Sequence, residues 1–467
     1  MKAEGVVPDK TTYHHILSQC GHHAAAAEAW AVLEDMVAMG IFPDRDAFHN
    51  VIRALYSREM RGTWQLLQLM HEAGVPPDAK TFDLVMNRLL ESENIELALT
   101  YMALMSTRGI TPLIHTAAAV IRSAAEHGLP RLALDIAYGF EKAAVRRLEG
   151  ETWMDCLIAS AEASYAEGVV AAWQKCVEEL GMLPDEGCCI LVLNTAARAG
   201  NPKLALDVIR VLQSQNVTWE EHHFAPLIEA FNKAGELKQA LEVLGTMQKY
   251  GVVPNAGTTQ AILHTVGIGK ITLDSAWHAV DELHREGKII DVSAMNIVVR
   301  AAVRASDLQR AFGIYKTFSD FNVVPNVDTF NILLSGCVRL AHRELGDKLM
   351  AEMREAGMKA DATTYKRVIA LCLTQPTYED AFFYLEEMKS EGITPPRTVY
   401  DLLIRKCVST GDPRYQLAVD ELLSQGYQMT PGLQTFIDSG GQQQGASEEE
   451  DFDAGVVFID STASLPW

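Results

Sequence analysis

The sequence predicts an all-α fold, a right-handed α-solenoid of about twelve helix–turn–helix repeats of 35 residues each. A nonapeptide pattern recurs along the chain at a spacing close to 35 residues. Between its occurrences lie pairs of short segments with the apolar periodicity of helices. The 467-residue chain is 48% apolar but only 7% aromatic, which favours close packing of helices over sheets.

Residues 327–361 show the repeat in its most regular form. Apolar residues at i, i+3, i+4 and i+7 line one face of a first helix, namely Phe330, Leu333, Leu334 and Cys337. In a second helix, apolar residues recur every four positions, at Leu345, Leu349 and Met353. Gly357 follows at the position of a C-terminal cap. This stretch therefore predicts two helices joined by a turn.

The end of the repeat is its clearest signal. A Met ends the second helix, a Gly four residues later caps it, and a Pro usually stops it. The pattern occurs as MVAMGIFPD (36–44), MHEAGVPPD (70–78), MQKYGVVPN (247–255), MREAGMKAD (353–361) and MKSEGITPP (388–396). A Thr or Asp and an aromatic residue follow, as in VDTFNILL and ATTYKRVI, which is an N-cap signal for the next helix.

Counted from Lys10, twelve repeats cover residues 10–431, which we predict to be the repeat array. They end near Asp44, Asp78, Leu113, Leu148, Asp185, Glu220, Asn255, Asp291, Asn326, Asp361, Pro396 and Pro431. Residues 114–185 keep the spacing but lose most of the turn pattern, so their boundaries stay open. Residues 256–291 are also irregular, with Gly267 and Gly269 near the end of the first helix.

Both ends of the chain differ from the array. Residues 1–9, MKAEGVVPD, match the ends of other repeats position for position, so we expect the end of a truncated repeat there. A targeting peptide would then not be visible. We interpret residues 432–467 as a closing segment followed by an acidic, disordered tail rich in Gln, Gly and Ser.

The net charge of −21 argues against nucleic-acid binding, which depends on neutralising phosphates. Seven acids and no Lys or Arg lie in 438–467, so the rest of the chain carries −14. The negative charge outside this tail still argues against nucleic-acid binding, but less strongly than the charge of the whole chain does.

Signals for metal, cofactor or enzyme chemistry are weak. The eight cysteines include no CxxC pair, and we interpret them as reduced, intracellular core thiols. The adjacent His pairs point apart on a helix, the Gly-Ile-Gly-Lys at 267–270 follows no strand, and no HExxH, GxxxxGK[ST] or GxSxG occurs. We predict no catalysis, no cofactor and no metal site. No run of 18 apolar residues indicates a membrane span.

Two families have helix–turn–helix repeats of this length. Tetratricopeptide repeats have a 34-residue period, but their Trp, Leu-Gly and Tyr signature is absent from the first helices. The elements T-[FY]-N-x-[LI]-[LI] and M-x-x-x-G-[IV]-x-P-[DN] instead resemble the pentatricopeptide repeat family, in its P-type array. The resemblance covers residues 1 to about 431.

The resemblance implies single-stranded RNA binding with one base per repeat. In the family, the base is recognised by the fifth residue of the first helix and the last residue of the repeat. Carried onto this chain, the clearest pairs are Asn296 with Asn326 and Asn331 with Asp361, which by the family's code favour a pyrimidine and then uracil. The less regular pairs are Gln260 with Asp291, His14 with Asp44, and His49 with Asp78. Four fifth-position residues cannot recognise a base edge, namely Ala118, Met154, Ile190 and Ala225.

A second set of residues is predicted to contact phosphates. Basic residues recur at positions nine and thirteen of the first helices, one turn apart and on one face. With Lys366 at a fifth position, the predicted phosphate contacts are Arg300, Arg304, Arg339, Lys366, Arg405, Arg198 and Lys233. Acids instead crowd the second helices, so we expect a comparatively basic stripe along the first helices. The alternative is solvated helix faces whose cations pair with neighbouring acids.

The family resemblance implies a role in organellar RNA processing, stability or translation. The expected partner is a single-stranded organellar transcript or rRNA, with further protein partners on the convex face. We expect a mitochondrial protein, with the chloroplast as the alternative compartment. The alternative function is a helical-repeat scaffold for protein interaction, for example a ribosome-associated organelle factor.

Overall fold

The computed structural model describes residues 7–55, 61–143, 147–268 and 272–441. Within these ranges the chain forms 25 α-helices and no β-strand, so the predicted all-α class is confirmed. Most of the predicted truncated repeat, residues 269 and 270 of the Gly-rich loop, and the predicted tail from 442 onward lie outside the described residues.

The chain divides into two compact units, an N-terminal unit (1–199 and 203–217) and a C-terminal unit (200–202 and 218–467). The helices of the N-terminal unit are α1 (Lys10–His22), α2 (Ala26–Ala38), α3 (Arg45–Ala54), α4 (Arg61–Glu72), α5 (Ala79–Glu91), α6 (Ile95–Thr107), α7 (Ile114–Glu126), α8 (Pro130–Ala143), α9 (Gly150–Glu162), α10 (Ala166–Trp173), α11 (Glu186–Ala199) and, apart from its first residue, α12 (Pro202–Ser214). A π-helical segment at Gln174–Glu179 continues α10.

The helices of the C-terminal unit are α13 (Glu221–Ala234), α14 (Leu237–Lys249), α15 (Ala256–Ile268), α16 (Leu273–Arg285), α17 (Val292–Arg304), α18 (Leu308–Lys316), α19 (Val327–Arg339), α20 (Arg343–Glu355), α21 (Ala362–Leu373), α22 (Glu379–Ser390), α23 (Arg397–Thr410), α24 (Tyr415–Ser424) and α25 (Pro431–Asp438). Each unit thus contains six helical pairs, and α25 follows the last pair.

Helical pairs stack through their first helices. Within the C-terminal unit, α19 packs against α17 before it, α21 after it, and its own partner α20. In the N-terminal unit, α1 contacts α2 and α3 in the same way. Because α19 has first helices packed on both sides, its buried face is wide. Six of the eight residues from Phe330 to Cys337 are almost fully enclosed apolar side chains or glycine.

The predicted glycine caps end the second helices. Gly357 lies in the left-handed region with φ of 68°, where an L side chain is strained. Its backbone N–H donates to the Arg354 carbonyl, and the N–H of Met358 donates to that of Met353, which closes the end of α20. The chain then leaves the second helix in a fixed direction and reaches Asp361, the N-cap of the next first helix, four residues after Gly357.

All eight cysteines are free and buried. Burial raises the pKa of Cys337 to about 12, so this thiol is protonated at neutral pH. Cys337 therefore acts as a small apolar residue of the core.

No helix in the described ranges is both long enough and apolar enough to cross a membrane.

Two glycines in second helices give opposite predictions for substitution by alanine. A Cβ atom at Gly245 would lie 2.0 Å from the backbone oxygen of Ile289, so the backbone must move. We expect Gly245→Ala to destabilise the protein by about 2 kcal/mol. A Cβ atom at Gly313 would meet nothing within 4 Å, so Gly313→Ala should stabilise it by up to about 1 kcal/mol through helix propensity. Thermal unfolding of both variants checks this, and an unchanged melting temperature for Gly245→Ala would contradict the close approach.

Candidate nucleic-acid interface

The last residue of one helical pair is the N-cap of the next first helix. Asp361 caps α21, where its Oδ1 accepts hydrogen bonds from the backbone N–H of Thr364 at 2.7 Å. The backbone N–H of Asp361 donates in return to Thr364 Oγ1 at 3.4 Å, which completes a capping box. Asn326 and Thr329 make the same box at the start of α19, as do Asp78 and Thr81 at the start of α5.

The fifth residue of the preceding first helix joins this cap. Asn331 Nδ2 donates to Asp361 Oδ1 at 3.2 Å, and Thr364 Oγ1 lies 2.9 Å from Asn331 Oδ1. Asn331 is only 3% exposed. We call these three residues the Asn331 triad. It joins two consecutive helical pairs.

The preceding junction repeats this arrangement. Asn296 Nδ2 donates to Asn326 Oδ1 at 3.1 Å, and Thr329 Oγ1 donates to Asn296 Oδ1 at 2.7 Å. We call Asn296, Asn326 and Thr329 the Asn296 triad. The two pairs selected from the sequence are therefore hydrogen-bonded at equivalent places in consecutive repeats. Their contact with RNA bases stays a prediction.

Histidine takes the place of asparagine in the first two repeats. His49 Nε2 lies 3.2 Å from Asp78 Oδ1 and 2.9 Å from Thr81 Oγ1, and we call these residues the His49 triad. His14 Nε2 lies 3.2 Å from Asp44 Oδ1. Burial lowers the pKa of His49, and the Asp78 carboxylate offsets only part of this effect. His49 is therefore neutral at physiological pH.

Gln260 and Asp291 are not joined in this way. Gln260 is exposed, and Asp291 caps α17 by accepting a hydrogen bond from Ser293 N–H at 2.8 Å. In the described part of the C-terminal unit these two residues share no hydrogen bond. The third residue of α17 is Ala294, which has no hydroxyl to reach back to Gln260.

The capping carboxylates stay ionised. Burial alone would raise the pKa of the Asp361 carboxyl, but hydrogen bonds from Thr364 and Asn331 outweigh it and hold that pKa below its usual value. Burial would likewise raise the pKa of the Asp78 carboxyl, but hydrogen bonds from Thr81 outweigh this effect and lower that pKa. Each carboxylate sits at the positive end of a helix dipole, which also favours its charged form.

Several predicted phosphate contacts have partners within the chain. Arg339 Nη1 donates to the carbonyl oxygens of Val303 and Arg304, at 3.3 and 2.9 Å, and so closes the C-terminal end of α17. Three further cations have intrachain partners: Arg198 donates to Ser164 Oγ at 2.7 Å, Lys233 pairs with Glu229 at 2.6 Å, and Arg405 lies 5.1 Å from the ring centre of Phe436. The side chains of Arg300, Arg304 and Lys366 are partly exposed. All seven roles in phosphate binding stay predictions.

Many acids on second helices form ion pairs between successive helical pairs. Lys316 of α18 pairs with Glu352 of α20 at 3.1 Å, and Arg354 of α20 pairs with Glu387 of α22 at 2.6 Å. Such exposed pairs contribute little individually.

Sequence reasoning missed two features of the junctions. In the sequence the threonines of T-[FY] indicate only helix N-caps, whereas in the structure Thr81, Thr329 and Thr364 also contact the preceding repeat. The second feature is Asp83, the fifth residue of α5, whose Oδ1 accepts a hydrogen bond from Thr116 Oγ1 at 2.5 Å. The recurring Thr at the third helical position was the signal that could have revealed both.

Three stretches match profiles of one family. Residues 186–318 match a profile described as pentatricopeptide repeat-containing protein, residues 328–358 a PPR repeat profile, and residues 348–410 a pentatricopeptide repeat domain profile. These stretches include the Asn296 and Asn331 triads except for Asn326.

Three similar proteins illustrate the range of matches, one along most of this chain and two along less than half of it. A mitochondrial pentatricopeptide repeat-containing protein of Arabidopsis thaliana is 22% identical over 91% of this chain and 72% of its own length. A mitochondrial 15S rRNA processing factor of Yarrowia lipolytica is 24% identical over 46% of this chain and 24% of its own length. A small ribosomal subunit protein of A. thaliana is 24% identical over 40% of this chain and 45% of its own length. This chain thus spans less than half of the last two relatives.

Among solved structures, the maize pentatricopeptide repeat protein PPR10, in complex with an 18-nucleotide psaJ RNA element, matches 97% of this chain and 76% of its own. The identity is 16% and the TM-score 0.38.

The charge of Asp361 is expected to stabilise the protein above the unfolded-state pKa of about 4. Asp361→Asn keeps the capping oxygen, as in Asn326, but removes the charge at the helix N-terminus. We expect a loss of about 0.5 kcal/mol at pH 7. Because the folded-state pKa of Asp361 is lowered, the difference should vanish as the pH falls through that value. Chemical denaturation between pH 3 and 7 measures it.

The matched control for this prediction is Asn326→Asp, which should gain stability at pH 7 because it adds the same charge to the same cap. A difference between Asp361→Asn and wild type that does not change with pH would contradict the assignment.

Proposed function

Because this chain belongs to the pentatricopeptide repeat family, we propose that it binds single-stranded RNA sequence-selectively through its repeat array at 10–431. Each helical pair would contact one base. The role would lie in organellar RNA processing, stability or translation. The observation that carries this proposal is the pair of adjacent hydrogen-bonded triads around Asn296 and Asn331.

The triads leave suitable groups for a base. Within the Asn331 triad, one N–H of the amide and one lone pair of its oxygen are not used by Asp361 or Thr364. A donor beside an acceptor matches the Watson–Crick edge of a pyrimidine. By the family's code, Asn296 with Asn326 would favour a pyrimidine and Asn331 with Asp361 uracil, on neighbouring nucleotides. Gln260 with Asp291, His14 with Asp44 and His49 with Asp78 would make less selective contacts.

The mechanism would be occlusion of a strand. A strand held base by base is withheld from nucleases and from pairing with itself. The phosphates would lie near Arg300, Arg304 and Lys366, with Arg339, Arg405, Arg198 and Lys233 contributing where their side chains can reach. This is a binding role, to which we assign neither a catalytic residue nor a cofactor.

The names of the relatives support an organellar site of action. Two of those described above are mitochondrial by name, and another relative, from A. thaliana, is chloroplastic by name. We propose the mitochondrion as the compartment, with the chloroplast as the alternative.

A second candidate function is a protein-interaction scaffold, for example in an organellar ribosome. The observation that favours it is exposed apolar surface on second helices. Phe383 of α22 and Leu417 of α24 each lie nine residues before the capping glycine of their helix, and they are 62% and 69% exposed. The similarity to a small ribosomal subunit protein agrees with this alternative.

Replacement of Asn331 by alanine should weaken base preference at one nucleotide only. The variant loses both the amide donor and acceptor, so we expect discrimination between uracil and the other bases at that position to fall about tenfold. Fluorescence anisotropy with short RNAs that differ at single positions measures this, at one fixed salt concentration because phosphate contacts depend on salt. The control is Gln260→Ala, which removes a fifth-position side chain outside any triad and should have a smaller effect. Equal affinity of the Asn331→Ala variant and wild type for every RNA would contradict the proposal.

The scaffold alternative makes a separate prediction about partners. If RNA binding is the function, proteins that copurify with the tagged protein from organelles should be lost after complete digestion with RNase. Partners that persist after digestion, and that are lost on substitution of Phe383→Asp with Leu417→Asp, would favour the scaffold. Mass spectrometry with and without RNase makes the comparison, and a Lys348→Asp variant on the same surface of α20 controls for added charge.

A further inference from the structure

We propose that the threonine at the third position of a first helix is a positioning residue for base recognition by the preceding repeat. Thr364 would position Asn331, and Thr329 would position Asn296. The inference rests on the proposed function and adds a third residue, from the next repeat, to each pair.

Thr364 lies at the centre of its triad. Its hydroxyl is 2.9 Å from Asn331 Oδ1 and 2.7 Å from Asp361 Oδ1, and its side chain is fully buried. The hydroxyl has one proton to donate. Asp361 Oδ1 already accepts hydrogen bonds from the Thr364 backbone N–H and from Asn331 Nδ2. The proton can therefore be given to Asn331 Oδ1 without leaving the carboxylate unpaired.

Two hydrogen bonds hold the two ends of the Asn331 amide. Asp361 can only accept and therefore receives the NH₂ end, whereas the Thr364 hydroxyl can donate to the oxygen end. A single bond would fix one end and leave the amide plane free to turn about the side-chain torsion, which is broad. With both ends held, the remaining N–H and lone pair face one direction. That preorganisation is what discrimination between base edges requires.

The same contact occurs at the preceding junction. Thr329 Oγ1 donates to Asn296 Oδ1 at 2.7 Å while Asn296 Nδ2 donates to Asn326. At the junction with Ala294, which has no hydroxyl, Gln260 is exposed and shares no hydrogen bond with Asp291 within the described C-terminal unit. A hydroxyl at the third position therefore accompanies an ordered fifth-position amide.

Capping and positioning can be separated in this chain. Thr258 occupies the third position of α15, and its backbone N–H donates to the N-cap Asn255 at 2.8 Å. The fifth residue of the preceding helix is Ala225, which offers no polar group, and the Thr258 hydroxyl bonds to Glu221 instead. Thr258 thus has the capping role of Thr364 without an amide to position.

The experiment compares Thr364→Val, which keeps the shape but removes the hydroxyl, with Thr364→Ser, which keeps the hydroxyl. Thr258→Val is the matched control for loss of the cap. A pool of single-stranded RNAs with randomised sequence first defines the wild-type preference, and single-base variants of the selected RNA then measure discrimination at each position. The position weakened by Asn331→Ala marks the nucleotide in question.

We expect Thr364→Val to reduce discrimination at that nucleotide about 3- to 10-fold, with other positions unchanged. Thr364→Ser should restore most of it, and Thr258→Val should change no position. Thr364→Val combined with Asn331→Ala should be no less selective than Asn331→Ala alone, because both act on one contact. Melting temperatures should fall similarly for the two valine variants.

Three results would overturn the inference. The first is a Thr364→Val variant that discriminates between bases as well as the wild-type protein does. The second is a loss of discrimination in Thr364→Val that is spread evenly over all nucleotide positions. The third is failure of Thr364→Ser to restore discrimination. In each case, the proposed function would still be supported if the wild-type protein binds RNA selectively. A wild-type protein that selects no RNA sequence would overturn the proposed function and this inference together.

Discussion

One side chain at each regular junction serves two helical pairs. Asp361 ends one repeat, caps the first helix of the next, and accepts a hydrogen bond from Asn331 of the helix before it. The cap satisfies backbone N–H groups that would otherwise lack partners at the start of α21. The contacts of Asn331 with Asp361 and Thr364 span 30 and 33 residues, which is close to the length of one repeat. The constraint therefore links the length of the repeat to the packing of its helices.

If the fifth residues recognise bases as proposed, this dual use would allow recognition to be lost at a repeat while the stacking of helices is kept. Where the fifth residue is apolar, as at Ala225, the next cap still forms between Asn255 and Thr258. Asp185 likewise accepts a hydrogen bond from Cys188 N–H at 2.9 Å, although the sequence places no polar residue at the preceding fifth position. The cap stabilises a helix wherever it occurs, whereas under the proposed function the fifth residue would contribute to selectivity only when it is polar. Selectivity would then be concentrated in a few repeats, with the others acting as spacers.

The sequence could predict the helical pairs because local signals mark both ends of each helix. Gly357 has to adopt a positive φ, and Asp361 has to offer an oxygen to free N–H groups, so both residue types recur. The pairs Asn296–Asn326 and Asn331–Asp361 could be selected by their spacing. The role of Thr364 could not be predicted from the sequence, because its contact with Asn331 depends on how two helices pack. For the same reason the sequence could not show that Arg339 donates to the carbonyl end of α17.

These intrachain contacts bear on how an acidic protein could bind RNA. Cations that close helix ends or pair with acids, such as Arg339 and Lys233, are less available to neutralise phosphates. The salt-dependent part of the affinity, which does not depend on sequence, would then be small. The ordered amides of Asn296 and Asn331 would contribute a larger share of the binding free energy. A protein of this kind would bind most RNAs weakly and would need the matching bases to bind tightly, so its negative charge would favour selectivity rather than prevent binding.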